Sequence, residues 1–127
     1  MIAVDTSALM AIAMGEPAAA ACIAVIEMEA TVLVSAGTVA EALIVATGRN
    51  VVDEVVDTLD RADCAVVPVT AASARRIGAV YARWGKGLHP AGLNFGDCFA
   101  YELATRMGCP LLFVGDDFTQ TDVKRAL

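Results

Sequence analysis

Four carboxylate positions interrupt stretches that otherwise carry no charge. Asp5 is the sole charged side chain between Met1 and Gly15, Glu41 between Thr31 and Gly48, and Asp97 between Gly87 and Tyr101. Gly108 to Gly115 has none, and then Asp116 and Asp117 arrive together. At helical spacing Glu41 meets Gly37, Thr38, Ile44 and Val45, and Asp97 meets Leu93, Asn94, Ala100 and Tyr101, so neither has a local cation and both read as buried or nearly so. An isolated carboxylate in such surroundings costs several kcal/mol unless it is protonated, paired or metal-bound. Carboxylates brought together repel one another and draw protons near neutral pH. A divalent cation removes that penalty, and hard oxygen donors without His or Cys select Mg²⁺ or Mn²⁺. One or two such ions would suit phosphodiester hydrolysis, by activating a water and neutralising charge at phosphorus.

Each carboxylate also has a plain structural reading. Asp5 before Thr6-Ser7 suits a helix N-cap, Glu41 a solvated or paired helix position, Asp97 a first-turn acid favoured by the helix dipole, and Asp116-Asp117 a turn. The joint pattern is what favours chemistry. Asp53, Glu54, Asp57, Asp60 and Asp63 instead form one solvated face. Arg75, Arg76, Arg83 and Lys86 read as solvated charge, with a phosphate-guiding track as the lesser reading. Tyr81, Trp84 and Tyr101 read as core or interface rather than as platforms for bases. His89, in a Gly/Pro loop, is a weak candidate for substrate contact.

The elements that must position these groups alternate along the chain. Short β-branched runs at Ile2–Val4, Thr31–Ser35, Ala65–Val69 and Leu111–Val114 read as strands. Helices are expected over Thr6–Met14, from Glu16-Pro17 to about Glu29, and over Ala36–Thr47 with Gly48-Arg49-Asn50 as punctuation. Further helices are expected over Val51–Arg61, from a Thr70 or Ser73 cap to Trp84, and over Asn94–Met107 with Gly108 as the stop; Thr121–Ala126 reads as a last helical turn. Apolar strands separated by helices imply a mostly parallel sheet covered on both faces, and ligands collect at the carboxyl ends of such strands. Asp5 and Asp116 both fall there.

The chain has 127 residues, 57% of them hydrophobic, enough for one core and one domain over 1–127. Nine Lys+Arg against 15 Asp+Glu give a net charge of −6, which excludes a general electrostatic grip on nucleic acid. A polyanionic partner would need a metal or a local basic patch. Cys22, Cys64, Cys98 and Cys109 have no C-x-x-C spacing, and His89 is the single histidine, so a zinc site is not expected and reduced thiols are. No signal peptide or membrane span is expected, and the location read from this is cytoplasmic.

The Ile2-Ala3-Val4-Asp5-Thr6-Ser7-Ala8 opening, the Glu41 helix, the run from Leu93 through Asn94-Phe95-Gly96-Asp97 to Tyr101, and the run from Leu111 through Gly115-Asp116-Asp117 to Phe118, with Thr121-Asp122, closely resemble PIN-domain ribonucleases. They look most like the VapC toxins of type II toxin–antitoxin systems, in the right order over the whole chain. The resemblance implies a PIN-like α/β three-layer sandwich with a four- to five-stranded, mostly parallel sheet. It implies a Mg²⁺- or Mn²⁺-dependent endoribonuclease whose acids are Asp5, Glu41 and Asp97, with Asp116 or Asp117 as the fourth. Asp5 and Asp97 would hold the metal directly, with Glu41 and Asp116 or Asp117 completing the shell or placing the attacking water, and Thr6 and Asn94 orienting the carboxylates. RNA as substrate, a homodimer and a VapB-type antitoxin partner are likewise implied. A phosphoacceptor receiver domain is disfavoured because the paired acids come late and no Lys lies between 87 and 123; an Asp-x-Asp phosphatase fails at Ser7. A catalytically dead interaction module is the remaining alternative.

Overall fold

A computed structural model describes residues 1–127. Four strands, β1 (Ile2–Val4), β2 (Val32–Ser35), β3 (Ala65–Val67) and β4 (Leu111–Leu112), form one sheet in the order β3-β2-β1-β4. Every pairing is parallel, with Ile2 opposite Val32, Val34 opposite Val66 and Ala3 opposite Leu111. Six helices cover it: α1 (Thr6–Ala13), α2 (Ala19–Met28), α3 (Ala36–Arg49), α4 (Val52–Arg61), α5 (Ala71–Trp84) and α6 (Phe95–Met107).

Alternation along the strands divides the core in two. Ile2, Val4, Val32, Val34 and Leu112 pack with apolar residues of α1 to α4, such as Leu9, Cys22, Ala42 and Val55. Ala3, Leu33 and Leu111 point the other way, into Ile77, Trp84, Tyr101 and Leu103 of α5 and α6. Helix, sheet and helix make three layers, burying both faces of β1, β2 and β4; the expected cover does not extend to the edge strand β3, where Val66 is 52% exposed.

Several boundaries differ from the sequence expectation. Gly48 lies inside α3, which runs on to Arg49; Asn50, in the left-handed region at φ 56°, ends it instead. Glu16-Pro17 precede α2 in a turn, and the helix begins at Ala19 without a side-chain cap. Strands β3 and β4 stop short of Val69 and Val114. The chain after Thr121 is not helical: the Leu111 N–H donates to the Lys124 carbonyl at 2.8 Å and the Ala126 N–H to the Leu111 carbonyl at 3.0 Å, so the C-terminal segment runs beside β4. Thr70 and Ser73 are both used at the start of α5, as the two halves of a capping box. All four cysteines are free thiols, and no helix is long and apolar enough to cross a membrane.

Candidate active site at the carboxyl rim of the sheet

β1 ends at Val4, and the next residue, Asp5, is the N-cap of α1. Its Oδ2 accepts from the Ser7 N–H at 3.0 Å and from the Ser7 hydroxyl at 2.6 Å. That hydroxyl accepts in turn from the Val114 N–H at 3.0 Å, which ties the end of β1 to the chain leaving β4. Asp5 is 3% exposed, and its Oδ1 is buried with no hydrogen-bond partner. Burial pushes its carboxyl up to about 6; the Ser7 bonds oppose this and the Glu41 charge adds to it.

Asp97 sits at the third position of α6, in a capping box. Its N–H donates to Asn94 Oδ1 and its Oδ2 accepts from the Asn94 N–H, both at 2.9 Å. Asn94 therefore holds Asp97. Asp97 is buried at 6% exposure, and its carboxyl is pushed up to about 7. Burial is the largest cause, the Asn94 bond opposes it, and the charges of Asp5, Asp117 and Glu41 raise it further.

Glu41 comes from α3, across from α6. Its Oε1 accepts from the Thr6 hydroxyl at 2.5 Å. The carboxylate lies directly over Gly96, where a Cβ would overlap it. The expectation of a nearly buried Glu41 needs correcting: the side chain is half-buried and Ile44, one turn on, is 72% exposed. This face of α3 is covered by the start of α6 near Glu41 and is open beyond it. Asp116 and Asp117 follow β4, both exposed. Of the two, Asp117 is the one whose charge bears on Asp97.

The protein's ion pairs involve none of these acids. The side chains do not form a closed ligand set of three or more groups. The arrangement nevertheless fits a hard cation that keeps much of its water and takes one or two protein carboxylates, as Mg²⁺ does. An orphaned buried oxygen on Asp5, a Gly96 that leaves room for a carboxylate, and an all-oxygen donor set carry that fit.

Other candidates have structural partners. His89 Nδ1 accepts from the Ala91 N–H at 3.0 Å and its ring packs edge-on against Trp84, so it closes its own loop. Arg76 and Arg106 both reach Glu102 Oε1 at 2.7 Å. Arg83 lies over Trp84 and near Asp122. Two of the four residues of the basic track thus have folding partners. Ser7 and Gly96 are the contributors that residue type alone did not assign to the site: nothing local signals that Ser7 reaches residue 114, or that Gly96 faces another helix.

Residues 2–124 match the PIN domain family. The chain is 43% identical over 128 residues to ribonuclease VapC28 of Mycobacterium tuberculosis, covering 98% of this chain and 96% of that one. It is 42% identical over 123 residues to ribonuclease VapC of Mycolicibacterium smegmatis, covering 94% and 95%. A crystal structure of Mycobacterium tuberculosis VapC20, described as a sarcin-ricin loop cleaving toxin, superposes with a TM-score of 0.78 at 18% identity over 97% of this chain and 96% of that one, a likeness of fold. With the D-T-S opening, the Glu41 helix and the N-F-G-D cap all gathered at one end of a parallel sheet, the chain belongs to the PIN domain family as a VapC-type member.

Proposed function

We propose that the chain is a metal-dependent endoribonuclease, the toxin of a toxin–antitoxin pair, acting as one PIN domain over 1–127. The observation that carries the reading is the gathering of Asp5, Glu41, Asp97 and Asp117 without a balancing cation, with a buried Asp5 oxygen left unpartnered. The ribonuclease names of relatives at over 40% identity along nearly the whole chain support RNA as the substrate.

Asp5 Oδ1 and the Asp97 oxygen not engaged by Asn94 would hold Mg²⁺ or Mn²⁺. When bound, the ion supplies a nucleophilic water and charge neutralisation at phosphorus. Glu41, held by the Thr6 hydroxyl, would be the residue to accept a proton from the attacking water, and Asp117 adds its charge near Asp97. Ser7 and Asn94 fix the two inner carboxylates through one oxygen each, Oδ2, and leave the other for the ion. Asp116 is assigned no direct part. A homodimer, a VapB-type antitoxin that neutralises the acidic rim, and a cytoplasmic location complete the proposal.

The test is cleavage of total RNA in Mn²⁺ by wild type and Asp97→Asn, with cut ends mapped. Wild type should cut at defined sites, EDTA should stop it, and Asp97→Asn should be inactive yet folded. Full cleavage by Asp97→Asn would remove the assignment. A folded wild type that Mn²⁺ neither stabilises nor activates would favour the dead interaction module.

A further inference from the structure

The first turn of α6 has a second face. Phe95, between Asn94 and Gly96, is 76% exposed, a large apolar ring beside the carboxylates. The ring does not swing free: it packs edge-to-face on Phe99, centroids 5.0 Å apart at 80°, and Phe99 is seated against Gly37 of α3. Beside it runs a groove of roughly 550 Å³ between α5 and α6, lined by Ile77, Tyr81, Lys86, Asn94 and Phe95 itself among others. Tyr81 is also exposed and also held, its hydroxyl donating to the Lys86 carbonyl at 3.1 Å. Lys86 is the charged residue of the lining and forms no ion pair. Asn94 belongs to both places, lining the groove and capping Asp97.

The combination is two fixed, exposed aromatic rings, one unpaired ammonium, and direct continuity with a site for a phosphodiester. Resting on the ribonuclease reading, we propose that this groove receives an unpaired nucleobase next to the cleaved phosphate. The base stacks on Phe95, Tyr81 forms the opposite wall, and Lys86 meets the following phosphate. Single-stranded RNA offers that alternation of flat apolar base and anion, whereas a paired A-form helix keeps its base faces stacked. The placement also gives an acidic protein a local cation where its substrate needs one. Tyr81 thereby moves from the core-or-interface reading to the substrate side.

The experiment uses single-stranded oligoribonucleotides each carrying one 2-aminopurine at a different position, bound in Ca²⁺ by wild type, Phe95→Leu and Phe95→Trp. Wild type should quench one position strongly. Phe95→Leu, which keeps apolar bulk without a π face, should lose that quench and bind between about 5- and 100-fold more weakly, while Phe95→Trp retains both. In Mn²⁺ the Leu variant should raise KM more than it lowers kcat. An abasic site at the quenched position should weaken wild type and leave Phe95→Leu unaffected. Equal binding by wild type and Phe95→Leu would overturn the proposal while leaving the ribonuclease reading intact; failure of wild type to bind or cut any RNA would overturn both. If sedimentation shows that Phe95→Leu converts a dimer to a monomer, and RNA binding returns where the dimer re-forms, the face serves a second copy and the proposal is wrong.

Discussion

Asp97→Asn separates two accounts of the same carboxylate through the pH dependence of stability. In the folded protein Asp97 titrates near 7 rather than 3.8, chiefly because it is buried and secondarily because Asp5, Asp117 and Glu41 surround it. The native state therefore binds a proton that the unfolded chain has released between about pH 4 and pH 7. The unfolded state binds fewer protons there, so stability falls as pH rises through that window and stays low above it. Each pH unit of displacement is worth about 1.4 kcal/mol. The full span corresponds to about 4 kcal/mol, falling to about 2 kcal/mol where solvent screens the oxygen left free by Asn94. Asparagine is the neutral analogue and can still accept from the Asn94 N–H. The variant should match wild type at pH 4 and exceed it by about 2–4 kcal/mol at pH 8. With an m-value of about 1.5 kcal/mol/M, the urea midpoint moves up by about 1–3 M. Saturating Mn²⁺ at pH 8 should close much of the gap by stabilising wild type, by about 2.7 kcal/mol at a hundredfold excess over Kd. If the charged form were instead favoured as a first-turn acid at the helix dipole, the gap would have the opposite sign and open as wild type ionised. A variant weaker at pH 8 than at pH 4, relative to wild type, would refute the desolvation and repulsion reasoning.

Other perturbations read neighbouring parts of the site. Gly96→Ala places a methyl on the Glu41 carboxylate, the far end of a flexible side chain, so the urea midpoint should move little while RNA cleavage falls at least tenfold. Ser7→Ala strips Asp5 Oδ2 of its hydroxyl donor, leaves the backbone N–H of residue 7 in place, and orphans the Val114 N–H; stability should drop by about 1–3 kcal/mol, and the Asp5 carboxyl, already near 6, should rise further, moving the fall in stability to higher pH. Asp117→Asn should cut cleavage strongly and Asp116→Asn by less than about twofold, since Asp117 is the member of the pair whose field reaches Asp97; kcat for both variants checks it.

What the sequence displays best is whatever local chemistry decides. Ile2–Val4, Val32–Val34 and Leu111–Leu112 are short unbroken apolar runs because both faces of the sheet are buried at these strands, and such runs are visible without knowing the partners. The amphipathic α4 and the Gly108 stop, at φ 64°, are equally local. The failures are long-range. Residues 124–126 lie beside β4 because Leu111 supplies hydrogen bonds from more than a dozen residues away, and helical periodicity in that segment says nothing about this. Gly48 punctuates only if nothing carries the helix past it; α3 continues because Asn50, two residues later, takes the left-handed conformation and ends it. The open end of α3 around Ile44 was read as buried because apolar side chains imply burial in one direction only.

At the site, the sequence posed a choice that the geometry dissolves. Asp5 looked like either a helix cap or a functional acid, and Asp97 like either a first-turn acid or a functional one; Asp5 caps α1 and Asp97 completes the capping box of α6, each through Oδ2 alone. A carboxylate has two oxygens, and a helix starting at the rim of a parallel sheet engages one with its own backbone and leaves the other without a backbone partner, buried in the case of Asp5 Oδ1. Capping is what leaves the second oxygen free. The cost appears in the raised pKa of both groups, because capping hydrogen bonds offset only part of the loss of water and the crowding of like charge. A solvent-exposed cap would titrate below 3.8, as first-turn acids do; these two rise above it. Elevated titration separates these two carboxylates from an ordinary helix start, and it depends on burial and on charged neighbours 20 to 92 residues distant in the chain, which spacing alone does not reveal.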